Sequence, residues 1–387
     1  MEVRRLALTG FRSYDSLEIA FPPGPQVLFG PNAAGKTNLL EALVVLGLGR
    51  SHRTTADAEL VAWGAPFARL EADVIGSRDR SAARLEVVIA RAAPGGGRKR
   101  VRINGVARRA SALSDTLRLV VFAPEEMLLV VGSPMLRRAT LDSLAAMRSP
   151  AYGRALATYS RALQQRNSLL RAIREGLGHP DELRYWDRIV VDEGGVIVAE
   201  RHALLGALAA PLVAAHAEIA PGEGRLTVEY LTNAPAEPGE TAAAALRRRL
   251  SETAEKEVWN GTTLVGPHRD DLAFRLDGRE LTTFASRGQQ RTAILALKLA
   301  ELELLRARDG TPPLLLLDDV FSELDQKRRA HLVRRIGELP QAFVTTTTLD
   351  DLDPALVAAS TTWRVSAGTL EPHHSPETRT LPRERPG

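Results

Sequence analysis

The chain has 387 residues, of which 44% are hydrophobic and 25% are charged, and at about 150 residues per domain this length predicts two to three domains. The composition excludes a disordered or collagen-like chain, and the absence of cysteine excludes disulfides, thiol chemistry and cysteine-bound zinc or iron–sulfur centres. The formal net charge is only +4, from 51 basic and 47 acidic residues, so total charge does not identify a partner.

Residues 1–124 alternate apolar and polar positions in the way typical of β-strands, with one helical pattern among them. A hairpin is predicted on Asn104-Gly105, because both residues accept a positive φ. The predicted elements are strands over 2–9, 16–21, 26–30, 70–75 and 85–90, a helix over 36–48 and a hairpin over 100–108. We expect an N-terminal β-rich lobe here.

Residues 125–220 have a mainly helical pattern, with breaks near Pro150, 178–180 and Pro221. Segments that contain strands precede and follow this stretch. The sequence therefore predicts a helical second domain inserted into an α/β fold.

The amino-acid pattern predicts no membrane segment. Residues 1–6 lack the apolar core of a signal peptide. The longest apolar stretch, 203–217, contains Pro211 and His216 and is shorter than the ~18 residues that a membrane span needs. We expect a soluble, cytoplasmic protein without a membrane partner.

Residues 221–370 return to strands alternating with helices, as expected for the C-terminal part of the same α/β head. The predicted elements are a strand over 225–231, a hairpin over 274–281 on Asp277-Gly278, a helix over 288–308 and a strand over 314–317. Residues 371–387 are rich in Pro, Arg, Glu and Thr and predict a disordered tail.

The segment after the third strand fits the phosphate-binding pattern G-x-x-x-x-G-K-[ST] and reads Gly30-Pro31-Asn32-Ala33-Ala34-Gly35-Lys36-Thr37. Its glycines allow backbone N–H groups to curl around a β-phosphate, and the next helix adds the positive end of its dipole. Lys36 is expected to reach the β- and γ-phosphates, and Thr37 to bind Mg²⁺. With Asn38, these residues form the predicted site for ATP and Mg²⁺.

Residues 314–317 are four leucines followed by Asp318 and Asp319, which is the Walker B arrangement. Asp318 ends a buried strand, where ligands of open α/β sheets bind, so we expect it to hold Mg²⁺. Asp319 follows directly and places a second carboxylate beside the predicted Mg²⁺ ligand. The predicted catalytic residues are therefore Lys36 and Asp319.

The long helix over 288–308 is opened by Ser286-Arg287-Gly288-Gln289. An isolated Ser here would be an ordinary helix cap. Its order relative to the P-loop and Walker B segments matches the S-x-G-Q signature of ABC-type ATPases. In that class Ser286, Gly288 and Gln289 face a γ-phosphate held by a second subunit, and residues 322–325 fit the D-loop. The predicted fold is an α/β ABC-type P-loop ATPase head with an N-terminal β-rich lobe and an inserted helical domain.

Several longer sequence segments point to a more specific family within this class. They are Phe11-Arg12-Ser13-Tyr14, the segment 30–42, Gln165-Arg166-Asn167, Gly266-Pro267-His268-Arg269-Asp270-Asp271-Leu272, Ala285-Ser286-Arg287-Gly288-Gln289-Gln290-Arg291-Thr292 and the segment 317–325. Nearly the whole chain before the tail resembles the RecF family of bacterial recombination mediators. The resemblance implies a cytoplasmic protein that forms a homodimer on ATP, binds DNA, and works with RecR and RecO to help load RecA at single-strand gaps and stalled forks.

Two features depart from the general ABC pattern. Asp319 is one methylene shorter than the usual Glu, and the strand over 342–344 runs into threonines 345–348, where a switch histidine is common. We therefore expect slow hydrolysis, with ATP serving as a dimer clamp and timer. The candidate segment for the Q-loop of this class is 122–126.

The candidate DNA contacts are basic residues near the predicted hairpin and in the helical insert. They are Arg98, Lys99, Arg100, Arg102, Arg137 and Arg138. Arginine suits phosphate contact because its planar fork forms two hydrogen bonds. With 5% aromatic residues, backbone recognition is expected rather than base stacking. For each basic cluster, an ordinary solvated surface remains the alternative to DNA contact. For His268-Arg269, which precede Asp270-Asp271, the alternative to a functional role is a salt-bridged turn.

Three other functions fit the sequence less well. A transporter nucleotide-binding subunit is disfavoured by the absent switch histidine and the helical insert. A structural SMC-like head needs long heptad arms, whereas the insert here is broken by proline and glycine. A small-molecule P-loop kinase does not need the signature at 286–289.

Overall fold

A computed structural model describes residues 1–76, 81–91 and 99–374. The strands are β1 (Glu2–Phe11), β2 (Tyr14–Ala20), β3 (Gly24–Phe29), β4 (Phe67–Ile75), β5 (Ala82–Ala90), β6 (Lys99–Ile103), β7 (Val106–Arg108), β8 (Leu119–Phe122), β9 (Leu226–Leu231), β10 (Asp271–Leu276), β11 (Arg279–Glu280), β12 (Leu314–Asp318), β13 (Gln341–Thr346), β14 (Thr361–Ser366) and β15 (Thr369–His374). The helices are α1 (Lys36–Leu48), α2 (Leu113–Thr116), α3 (Leu128–Val131), α4 (Pro134–Arg148), α5 (Pro150–Arg174), α6 (Leu183–Ile219), α7 (Ala242–Asn260), α8 (Leu281–Phe284), α9 (Arg287–Asp309), α10 (Gln326–Gly337) and α11 (Pro354–Ala359).

The chain divides into two compact units. The first contains the described residues of Met1–Pro124 and Asp309–Gly387, and the second is Glu125–Arg308. Residues 221–308, which the sequence analysis assigned to the C-terminal part of the head, lie in the second unit with the helices. The reason is non-local packing, because β9 contacts α6 and β10 contacts α4.

The first unit contains two six-stranded sheets. One is antiparallel, in the order β2-β1-β4-β5-β6-β7. The other has the order β15-β14-β3-β13-β12-β8, in which β15 is an antiparallel edge strand and the remaining neighbours are parallel. β15 includes Glu371–His374, so the sequence analysis was wrong to begin the tail at 371.

Helix α1 lies in the core of the first unit and contacts strands of both sheets. It is apolar around almost its whole circumference, with Leu39, Leu43, Val44 and Leu46 all fully buried. A helix that is apolar on all sides needs apolar neighbours on all sides, which the two sheets supply. This packing fixes the position of the loop immediately before the helix.

Both predicted hairpins form. The turn residues Asn104 and Gly105 have φ of 52° and 77°, and Asp277 and Gly278 have φ of 48° and 78°. Two successive residues with positive φ match the right-handed twist of the flanking strands. These turns join β6 to β7 and β10 to β11.

One helix of the second unit, Pro180–Ile219, is long and apolar enough to cross a membrane by length and composition, with a window of mean hydropathy 1.6. The apolar stretch 203–217 noted in the sequence is only the C-terminal part of this longer helix. Core helices of soluble proteins meet the same criteria. Here α6 contacts α4, α5, α7 and β9, and its Arg201 is buried among hydrogen-bonding partners.

Candidate nucleotide-binding site

The loop between β3 and α1 depends on two glycines. Gly30 has φ of 155°, and a Cβ added there would lie 2.3 Å from the carbonyl oxygen of Val365. Gly35 has φ of 112°, and its carbonyl accepts a hydrogen bond of 3.0 Å from the Tyr14 hydroxyl. The positive φ at Gly35 and the backbone contact at Gly30 explain why the loop needs glycine at both ends.

Lys36 lies at the base of this loop and is only 8% exposed. Its Nζ donates to the carbonyl oxygens of Gly30 at 2.6 Å and Pro31 at 2.9 Å. Burial lowers the pKa of Lys36, while the nearby carboxylates of Asp319 and Asp318 act in the opposite direction. The ammonium is therefore held where the loop would place an anionic phosphate group.

Thr37 and Asp318 come together from opposite ends of the sequence. The Thr37 hydroxyl donates to Asp318 Oδ1 at 3.1 Å, and Asp318 is buried at the C-terminal end of β12. Hydroxyl and carboxylate oxygens are ligands that suit Mg²⁺. Among the described residues, no group of three or more His, Asp or Glu side chains forms a further candidate metal site.

Thr345 is a site residue that the sequence analysis did not identify. In the parallel sheet it lies directly beside Asp318, because β13 pairs with β12. Its hydroxyl donates to Asp318 Oδ1 at 2.6 Å and accepts from the backbone N–H of Asp319 at 2.9 Å. Asp319 has a φ of 50°, which is uncommon for a residue other than glycine. Two neighbouring parallel strands that end in polar residues were the signal available in the sequence.

A second cluster supports the start of α1 from the side. Glu41 is fully buried and accepts hydrogen bonds of 2.8 Å from Nε and Nη2 of Arg12 and one of 2.5 Å from the Ser51 hydroxyl. Burial alone would raise the pKa of Glu41, but the hydrogen bonds from Arg12 and Ser51 and the charges of Arg12 and Arg53 lower it. The carboxylate is therefore charged and immobilised.

Asn38 connects this cluster to the loop. Its amide nitrogen donates to the Ser13 hydroxyl at 2.9 Å, and its amide oxygen accepts from Arg53 at 3.1 Å. Tyr14 also donates a hydrogen bond to Gly35, and Arg12 donates to Glu41. The polar side chains of segment 11–14 therefore support the P-loop and the start of α1.

The signature segment begins α9 with reciprocal hydrogen bonds. The Ser286 hydroxyl accepts from the backbone N–H of Gln289 at 3.2 Å, and the Gln289 side chain accepts from the backbone N–H of Ser286 at 3.0 Å. This is a capping box, so the simple capping role of Ser286 is real. Ser286 is nevertheless exposed. A Cβ at Gly288 would meet only the Ser286 hydroxyl, at 3.8 Å, so packing within the chain does not require glycine there.

The segment where a Q-loop was sought leads from the end of β8 into the second unit. There Glu126 pairs with Lys298 of α9 at 2.7 Å, and Lys298 also binds Glu301 at 3.2 Å. Burial raises the pKa of Glu301 to about 7, although the Lys298 charge opposes the shift. Residue 126 is thereby joined to the helix that begins at the signature.

The candidate DNA contacts on β6 differ in availability. Lys99 binds Asp57 at 2.7 Å and the carbonyl of Gly49 at 2.7 Å, so its charge is used within the first unit. Arg100 and Arg102 are exposed on one face of the strand, and Arg102 approaches Glu86 at 3.6 Å. Arg98 lies outside the described residues.

The two candidates on α4 have structural contacts. Arg137 is buried and forms two hydrogen bonds with Asp271, of 2.7 and 2.8 Å, and one of 2.7 Å with the carbonyl of Gly132. Arg138 donates to the carbonyl of Asp270 at 2.7 Å. The donors of Arg137 are therefore used within the second unit, which argues against a role in DNA contact.

His268, in the phrase over 266–272, is held as a neutral imidazole. Its Nδ1 lies 2.7 Å from the Tyr159 hydroxyl and its Nε2 lies 3.3 Å from the carbonyl oxygen of Thr263. Burial, together with the charges of Arg269 and two further arginines, lowers its pKa to about 4. The hydroxyl thus donates to Nδ1, and Nε2–H donates to the carbonyl. These contacts give His268 a structural role within the second unit.

Comparison with known proteins agrees with the motifs. The profile of the RecF/RecN/SMC N terminal domain matches residues 2–366. A relative from Chloroflexus aggregans, described as DNA replication and repair protein RecF, is 42% identical over 96% of this chain and 99% of its own length. A second RecF, from Herpetosiphon aurantiacus, is 41% identical over 96% of this chain and all of its own length (100%).

Solved structures agree in fold. The recombination mediator protein RecF with ATP, in the RecFOR pathway, has a TM-score of 0.87 at 28% identity and covers 96% of this chain and 97% of its own. An SMC head bound to the C-winged helix domain of ScpA has a TM-score of 0.52 at 14% identity, covering 97% and 99%, and shows the fold alone. The predicted α/β ABC-type head is confirmed.

Proposed function

The chain belongs to the RecF family of DNA replication and repair proteins, and from that membership we propose that it is an ATP-switched, DNA-binding recombination mediator. In this proposal ATP joins two copies into a dimer, and the dimer binds DNA at gaps or junctions in the cytoplasm. RecR and RecO then act with it to load RecA. The RecF structure solved with ATP supports ATP as the nucleotide.

The observation that carries the ATP proposal is the convergence of the P-loop and Walker B residues in the first unit. Lys36 would neutralise the β- and γ-phosphates. Thr37 and Asp318, whose oxygens lie 3.1 Å apart, would hold Mg²⁺. Mg²⁺ would supply charge neutralisation on the phosphates. Residues 30–35 and Asn38 would complete the phosphate cradle.

The dimer proposal rests on the exposed start of α9. Ser286, Gly288 and Gln289 would complete the nucleotide site of a second copy, with backbone N–H groups at the helix start facing the γ-phosphate. An open surface at Gly288, which internal packing does not require to be glycine, suits the close approach of another chain.

Hydrolysis is proposed to be slow, so that ATP acts as a timer. Asp319 would polarise the attacking water, and its side chain, one methylene shorter than the usual Glu, limits its reach. Lys36 would stabilise the charge that develops on the phosphates. A DNA-free turnover of tens per second, measured by phosphate release, would contradict this proposal.

Sedimentation with and without ATP and duplex DNA tests the switch. We expect ATP to produce a dimer of the unmodified chain, and Ser286→Arg to abolish the dimer while nucleotide binding remains. The matched control is Thr241→Arg, because the Thr241 hydroxyl caps α7 by accepting from Ala244 N–H at 3.2 Å. Loss of the dimer in both variants would assign the effect to helix capping, and a chain that stays monomeric with ATP would refute the proposal.

The test also separates the alternative functions. A transporter subunit would ignore duplex DNA, whereas the proposed mediator binds it only as the ATP dimer. Lys36→Arg and Asp318→Asn should weaken ATP-dependent dimerisation as well, since each removes a group proposed to hold ATP–Mg²⁺.

A further inference from the structure

A groove of about 1100 Å³ lies on the second unit between the end of α5, the start of α6 and one face of α7. Its floor is aliphatic and includes Leu183, Val191, Leu250 and Val258. Trp259 stands at its edge with 78% of its surface exposed. Apolar surface of this kind, next to an exposed tryptophan, is typical of a protein-binding site.

Arginines surround this floor. They are Arg174, Arg184, Arg188 and Arg247. Three of them have acidic neighbours, in the ion pairs Arg184–Asp181 at 2.8 Å, Arg174–Glu175 at 3.9 Å and Arg247–Asp192 at 3.9 Å. Their side chains are 44% to 83% exposed, so water screens these pairs and a binding partner can replace them at little cost.

The acidic residues inside the groove are fewer. Asp187 is bound by the buried Arg166 at 2.7 Å, which leaves Glu255 as the other carboxylate of the lining. The lining therefore combines an apolar floor with five arginines and two carboxylates, and three of the rim arginines also pair with carboxylates just outside it.

We propose that this groove binds an acidic amphipathic helix of a partner protein. The lining residues of α7 recur every three to four positions from Arg247 to Trp259, a distance of ~18 Å along the helix. A partner helix of about three turns would match that length. Leucine-like residues would cover the floor and carboxylates would meet the arginine rim, as in other helix-in-groove complexes.

Two other occupants fit less well. A nucleic acid would match the arginines, but its phosphate backbone gains nothing from an aliphatic floor and is repelled by Glu255. Residues 375–387 of this chain carry three Arg and two Glu, so their charge has the same sign as the rim. Charge and apolarity together therefore favour an acidic protein segment.

The proposal is tested with a synthetic helical peptide that has Leu at i, i+3, i+4 and i+7 and Glu elsewhere. Binding to the full chain is measured by fluorescence anisotropy, without ATP. We expect this peptide to bind, and peptides of scrambled order or with Lys in place of Glu to bind at least about tenfold more weakly. Trp259→Ala should weaken binding by a similar factor.

Charge reversal identifies the site. Arg188→Glu with Arg247→Glu should weaken binding of the Glu peptide and strengthen binding of the Lys peptide. The control, Arg154→Glu with Arg161→Glu, makes the same total charge change on α5 outside the groove lining and should alter neither. Circular dichroism checks that each variant is folded. Absence of binding, equal binding of the scrambled peptide, or an unchanged preference after charge reversal would overturn the proposal. Displacement by an oligonucleotide that depends on the same residues would assign the groove to nucleic acid instead.

Discussion

The Thr345 hydroxyl acts on two adjacent acidic residues in different ways. It donates to the carboxylate of Asp318 and accepts from the backbone N–H of Asp319. The first contact orients a proposed Mg²⁺ ligand. The second contact helps to hold the backbone of Asp319 in its positive-φ conformation. That conformation sets the direction in which the Asp319 side chain leaves the backbone. One side chain therefore positions both acidic residues without having to touch the nucleotide.

Thr345→Val tests this role. The change keeps the shape but removes both hydrogen bonds, and loss of such a supporting contact typically reduces metal affinity or activity by about 10–100-fold. We expect Mg²⁺-dependent ATP hydrolysis to fall by that factor, while Mg²⁺-free nucleotide binding stays within about twofold. Thr345→Ser should restore most of the activity.

The neighbouring Thr346 provides the control, because it is equally buried and its hydroxyl donates to the carbonyl of Thr348. Thr346→Val should leave hydrolysis nearly unchanged. An equal loss in both variants would show that general damage to β13, and not the contact with Asp318, is responsible.

His268 makes folding sensitive to acid. Its pKa is about 4 in the folded chain, below the ordinary value of 6.5. As pH falls through 6.5 the unfolded chain binds a proton that the folded chain does not, so the stability from this group is complete above pH 6.5 and is lost towards pH 4. We expect His268 to account for about 1–3 kcal/mol of the unfolding free energy that is lost over this pH range.

His268→Gln should reduce the slope of unfolding free energy against pH over this range, as measured by urea denaturation. The control is His202→Gln, which removes an exposed imidazole from the same unit. If the slope is unchanged in His268→Gln, or falls as much in the control, then His268 is not buried as a neutral group.

At the level of elements, the strand–loop–helix of β3 and α1 depends on backbone shape. Gly24 and Gly30 both have positive φ, but a Cβ at Gly24 would meet no atom within 4 Å. Gly30→Ala should therefore destabilise the chain more than Gly24→Ala, for which conformational strain alone costs about 1–2 kcal/mol. Thermal unfolding compares the two variants, and nucleotide binding should be lost only in Gly30→Ala. Equal destabilisation would contradict the close contact with Val365.

The elements that the sequence predicted well are those with local signals. Helix α1 was predicted over its observed range, and both hairpins follow from Asn-Gly and Asp-Gly pairs whose φ is locally determined. The P-loop residues were predicted to bind phosphate because their spacing reflects phosphate geometry, and that binding stays a prediction.

Other features depend on non-local contacts and left no local pattern. Thr345 becomes a site residue only through the pairing of β13 with β12, and residues 221–308 join the second unit only through packing on α4 and α6. The roles of Arg137 and Lys99 likewise depended on partners distant in sequence, Asp271 and Asp57. A cluster of basic residues in the sequence does not show which of them are already paired.

For the whole molecule, the small net charge means that the proposed DNA binding would depend on particular arginines that remain available. Arg100 and Arg102 meet this requirement, because both are exposed on the same face of β6. A DNA phosphate would replace the approach of Arg102 to Glu86, which is 3.6 Å long and gains little in water. These two residues are the part of the predicted DNA surface that the contacts favour.

Arg100→Glu with Arg102→Glu should therefore weaken duplex binding by the ATP-bound dimer. Each lost phosphate contact should reduce the slope of log affinity against log salt by about 0.9, so the double variant should lose roughly 1–2 units of slope. Titrations at several salt concentrations measure this, and sedimentation confirms that ATP still forms the dimer. Arg154→Glu with Arg161→Glu, at two exposed arginines of α5, makes the same total charge change and should leave the slope nearly intact. If the control loses as much slope as the β6 variant, DNA binding follows overall charge, and β6 is not the surface that contacts the phosphates.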